Sequence, residues 1–74
     1  MTLRDGIQDK EYIVQNIKLE QATQVRLKAL GLTDGTKIIV LNNKKGGSVI
    51  FNVRGTRLAV GRQIAEAIMI REEA

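Results

Sequence analysis

The sequence predicts a mostly β fold with one α-helix, a small SH3-like β-barrel of about five strands. Three observations lead there. Short β-branched and apolar runs recur along the chain, separated by Gly, Asn and Asp turn signals. A single stretch, Glu20 to Leu30, has helical apolar spacing and ends at a glycine. The chain of 74 residues is too short to leave a flat sheet with long bare edges, so closing the strands on themselves is the economical solution. An OB-like barrel is the second choice.

Taken in order, residues 1–10 are polar and contain Gly6, so they read as a partly ordered N-terminal lead-in to a single domain over 11–74. Tyr12 to Ile17 is the first strand candidate. In the helix over 20–30, Val25, Ala29, Ala22, Arg26, Leu30 and Leu27 share one arc, with Gln24 and Lys28 opposite. Gly31 is placed to be the left-handed residue that stops the helix, with Leu32 packing back in a Schellman cap. Asp34-Gly35 reads as a tight turn and Lys37 to Leu41 as a strand. Its successive apolar residues predict cover on both faces. Asn42 to Ser48 reads as a flexible turn, and Val49, Phe51 and Val53 alternate as the inner side of a half-buried strand. Gly55 marks a hairpin into Thr56–Val60, Arg62 to Ala67 has room for one helical turn, and Ile68 to Ile70 supplies the last strand.

Composition narrows the chemistry. Cys and His are both absent, which removes disulfides, thiolate sites and imidazole sites. The eight acidic residues form no loop with metal-ligand spacing, so neither a metal site nor a cofactor is expected in a single chain. No apolar run reaches the roughly 18 residues of a membrane helix and no signal peptide opens the chain, so direct membrane insertion is not expected and a cytoplasmic location is. The net charge of +4 invites a nucleic-acid reading, but the basic residues are dispersed and only Lys44-Lys45 are adjacent. With Tyr12 and Phe51 as the only aromatics, base stacking has little to use, and an aromatic groove for polyproline cannot be built. Nucleic acid is not the favoured partner. Catalysis lacks a nucleophile–base pair, and Gly46-Gly47 is no phosphate loop.

Several pieces in fixed order resemble one family: Arg26-Leu27 with Leu30-Gly31-Leu32, then Gly35, Val53-Arg54-Gly55 with Leu58-Ala59, and Ala67-Ile68. From about Tyr12 to Ile70 the chain is similar to the FeoA-type proteins of bacterial ferrous iron transport. The resemblance implies an SH3-like barrel and a non-enzymatic cytosolic role as accessory to FeoB, a membrane transporter with a G-protein-like GTPase domain. The same module resembles the C-terminal domain of DtxR-type repressors, so a metal-linked regulatory or nucleic-acid-binding small barrel is the alternative. Transition-metal binding is a family-level association that this donor set does not favour. The chain departs from the family at Gln8-Asp9-Lys10-Glu11, where a Pro-Gly or similar turn is common, and at Gly61-Arg62-Gln63-Ile64 after Val60.

The candidate partner-binding residues are Arg26, Leu27, Leu30, Leu32, Arg54 and Arg57. Arg26 falls within the apolar arc, where a guanidinium either lies along the core and meets carbonyls or Glu66, or serves a carboxylate of a partner. The three leucines are expected in the barrel mouth, or in an interface patch where exposed. Arg54 and Arg57 flank the Gly55 hairpin and, with Lys44 and Lys45, suggest a basic face for an acidic partner. Self-association is left open.

Overall fold

The computed structural model describes residues 1–44 and 47–73. A 3-10 turn (Leu3–Asp5) leads into β1 (Glu11–Ile17), α1 (Gln21–Ala29), β2 (Lys37–Asn43), β3 (Val49–Val53), β4 (Thr56–Val60), α2 (Arg62–Ala67) and β5 (Ile68–Glu72). The strands make one antiparallel sheet in the order β4-β3-β2-β1-β5. Strand alternation sets its inner face: Tyr12, Val14, Ile38, Val40, Val49, Phe51, Val53, Ile68 and Ile70 are buried together with Leu3, Leu27 and Leu32. This is the SH3-like barrel expected, with one difference. Among the described residues the ladder does not close, and β4 and β5 are its two edges. The segment between them is α2, and the Leu3–Asp5 turn packs against both α2 and β5. Arg4 reinforces that packing through a 2.7 Å ion pair with Glu66.

The sheet bends at two β-bulges, between Val14 and Asn16 on β1 and between Val40 and Asn42 on β2. An extra residue on one strand bends it and increases its twist, which curls five short strands around one core. β2 is covered on one face only, against expectation: Ile38 and Val40 are buried while Ile39 is exposed. The outer face of the sheet has no second layer there, so an apolar run did not mean two-sided burial.

Residues 1–10 lie against the barrel. Leu3 is fully buried, Thr2 bridges to Met69, and the Ile70 amide donates to the Met1 carbonyl. Asn43, read from sequence as part of a turn, ends β2 instead. Its side-chain amide donates to the carbonyls of Arg4 and Gly6 at 2.9 and 2.7 Å. Gly6 is buried so closely that a Cβ there would stand 2.8 Å from Cγ2 of Val40. Lys45 and Gly46, part of the same sequence turn, lie outside the described residues.

Candidate functional site

The helix stop comes out as predicted. Gly31 has φ +101°, the Leu32 amide donates to the Leu27 carbonyl at 3.0 Å, and the Gly31 amide to the Lys28 carbonyl at 3.0 Å. This double bond pattern is the Schellman motif, and its apolar partners Leu27 and Leu32 both enter the core. The cap thereby decides which side of α1 faces inward. Residues one turn away from Leu27 on the same face are Thr23, Gln24 and Leu30; Thr23 and Gln24 are half-buried. The apolar arc expected around Arg26 is therefore mostly exposed, with Val25 58% and Leu30 49% accessible. Its alanines carry little apolar surface, so anchoring Leu27 outweighs them.

Where α1 leans over the end of β4 and the start of α2, a cavity of about 260 Å³ opens to the surface. Its helix wall is Thr23, Arg26, Leu27 and Leu30, and its opposite wall is Ala59, Val60, Gly61 and Ile64. The floor is apolar: Leu27 and Val60 belong to the core cluster and Ile64 packs on it. Exposed Leu30 and Arg26 stand at the rim.

The six candidate residues separate here. Leu27, Leu30 and Arg26 are brought into the groove, whereas Leu32 is fully buried and cannot meet a partner. Arg26 is exposed rather than embedded, and among the described residues it makes no ion pair or side-chain hydrogen bond. Glu66, suggested as its partner, is engaged instead by Arg4 at 2.7 Å and Arg62 at 3.5 Å. Arg54 occupies the β3–β4 turn with φ +52°, followed by Gly55 at +79°, the paired left-handed conformation of a type I′ hairpin. Its aliphatic stem lies over Gly31. Arg57 is exposed on β4, paired with Asn52. Of the cations grouped as a basic face, Lys44, Arg54 and Arg57 are described and exposed. Lys44 and Arg54 lie at opposite ends of β3, whose length at about 3.3 Å per residue keeps them apart, and Lys45 is outside the described residues.

Sequence reasoning missed Thr23, Ala59, Val60, Gly61 and Ile64 as groove residues. Ile64 was within reach, because an isolated isoleucine in a single helical turn needs an apolar neighbour.

Charges along β1, β2 and β5 pair with one another. Lys37 lies 3.3 Å from Glu11 and 3.1 Å from Glu73, and Lys10 is bound to Glu72. Hydrogen bonding to Glu73 and Glu11 raises the Lys37 pKa above its ordinary value, and the bond to Glu72 does the same for Lys10. Among the described residues no three acidic side chains cluster as metal ligands, and the sequence offers no imidazole or thiolate. The residues present do not fit a transition-metal centre in one chain.

Comparison with known proteins agrees with this architecture. The FeoA domain family model matches residues 1–72. A Methanocaldococcus jannaschii protein, provisionally named Fe(2+) transport protein A, is 33% identical over 63 residues, covering 85% of this chain and 76% of that protein. A crystal structure of an iron uptake regulatory protein, FeoA, superposes with a TM-score of 0.86 at 32% identity, over 96% of this chain and 95% of the other. A zinc-complexed FeoA from Stenotrophomonas maltophilia, described as a prokaryotic SH3 domain protein, has a TM-score of 0.81 at 22% identity, over 96% of this chain and 89% of that one.

Proposed function

Because the chain belongs to the FeoA family, we propose that it is a cytosolic, non-enzymatic accessory protein of ferrous iron uptake, which binds the FeoB-type transporter through the α1–β4 groove and modulates it. Iron is the transporter's cargo in this reading, and the protein acts by contact. The observation that carries it is the groove itself: an apolar floor of Leu27, Val60 and Ile64 opening between an exposed leucine and an arginine that has no carboxylate partner among the described residues. Such a combination matches an interface core with a charged rim.

Titration of the protein against the isolated GTPase domain and against the intact transporter tests this. Saturable binding to either is expected, weakened by Leu30→Asp. Absence of binding to both at high micromolar concentration overturns it.

A further inference from the structure

The two edges of the sheet are treated differently. The outer edge of β5 is partly occupied, since Thr2 bridges to Met69 and the Ile70 amide donates to the Met1 carbonyl. Among the described residues nothing pairs with the outer edge of β4. The hairpin register says which of its groups are free. With a two-residue turn at Arg54-Gly55, the pairs Val53–Thr56, Phe51–Leu58 and Val49–Val60 exchange hydrogen bonds with β3. The alternate residues Arg57 and Ala59 then point their N–H and C=O groups away from β3. Neither makes a backbone hydrogen bond elsewhere among the described residues.

That bare edge borders the groove. Ala59, Val60 and Gly61 all line it, although strand alternation sends the side chains of Ala59 and Val60 to opposite faces, so the wall is the strand's edge rather than one face. A slot between an edge strand and a helix is the geometry in which an extended peptide adds to a sheet. Charge selects the occupant. Arg26 on the helix rim and Arg57 on the outer face of β4 have no acidic partner among the described residues, whereas Glu11, Glu66, Glu72 and Glu73 are engaged elsewhere.

We propose that β4 accepts an extended segment of a partner protein as a sixth strand, with apolar side chains entering the α1–β4 groove and alternate carboxylates meeting Arg57 and Arg26. The backbone of Arg57 and Ala59 supplies the hydrogen bonds, and the groove supplies the apolar anchor. This deepens the transporter-binding reading and rests on it for the partner's identity, but the edge can be tested without the transporter.

The probe is a synthetic peptide of about eight residues alternating leucine with glutamate, titrated into the full chain. Binding should slow hydrogen exchange at the Arg57 and Ala59 amides and weaken as salt is raised. Methylating the peptide nitrogens that face β4 should weaken binding by about tenfold or more, since buried hydrogen bonds are lost. Ala59→Pro should do the same, because it removes an outward N–H without touching the β3 ladder; the methylated peptide decides if that variant fails to fold. No binding of the peptide, or binding indifferent to methylation with both amides unprotected, overturns the proposal. A transporter domain that binds while leaving both amides unprotected overturns it too, and leaves the accessory role standing. Peptide captured on the edge with no transporter binding refutes the accessory role instead.

Discussion

The side chain of Arg54 lies across Gly31, its Cδ 3.2 Å from the position a Cβ would take at that glycine. Both residues have positive φ, +52° and +101°. The contact joins the β3–β4 turn to the C-terminal cap of α1, tying the start of β4 to the helix whose Leu27 and Leu30 line the groove. It also makes the pair sensitive to substitution in opposite directions.

Gly31→Ala should destabilise the protein by about 1–2 kcal/mol, because a Cβ is strained at that φ and the Arg54 stem must move aside. For a domain of this size that is a fall in melting temperature of roughly 4–8 °C per kcal/mol, read by thermal circular dichroism. An unchanged melt would show that the helix stop tolerates a side chain.

Arg54→Asn should raise stability by about 0.5 kcal/mol, since Asn-Gly suits a type I′ turn better than Arg-Gly. A melting temperature below that of the parent would mean that the Arg54 stem over Gly31 outweighs the turn preference.

Gly6 constrains by space rather than by φ. Its backbone at φ −64° suits any residue, yet an added Cβ would stand 2.8 Å from Val40 Cγ2. Gly6→Ala should cost about 1–3 kcal/mol by overpacking, and adding Val40→Ala should recover part of that loss. A double-mutant cycle with no coupling contradicts the contact.

Arg26→Ala should leave the stability unchanged within about 0.5 kcal/mol, as an exposed side chain without a partner among the described residues allows. The same variant should weaken transporter binding. A fall of several degrees would return Arg26 to a structural role.

Lys37 and Lys10 have pKa values raised by Glu73, Glu11 and Glu72. A raised lysine stabilises the fold fully below the unfolded-state value near 10.5 and loses that contribution as pH rises through the higher folded value. Denaturant titrations should therefore show this contribution constant from neutral pH to about pH 10 and declining above it. In Lys37→Met the alkaline decline should be smaller; an identical profile contradicts the assignment.

Much of this was legible because short-range chemistry decided it. Gly31 with Leu32 announced the helix stop, and Gly55 announced the hairpin, since positive φ and tight turns need those residues. The face of α1 was misread for a physical reason: helical spacing counts alanines as apolar, while packing follows the leucine pinned by the cap. The bulges at Val14/Asn16 and Val40/Asn42 left no local signal, and neither did Asn43 reaching the carbonyls of Arg4 and Gly6, because both arise from pairing between distant segments. The groove needed α1, β4 and α2 assembled before its walls could be named.

The most direct measurement of the central claim is a chemical-shift map of the isotope-labelled protein on addition of the transporter's cytosolic portion. Perturbations centred on Thr23, Leu30, Ala59, Gly61 and Ile64 are the predicted result. Perturbations centred instead on Lys10, Lys37 and Glu72, with the α1–β4 groove silent, would contradict it.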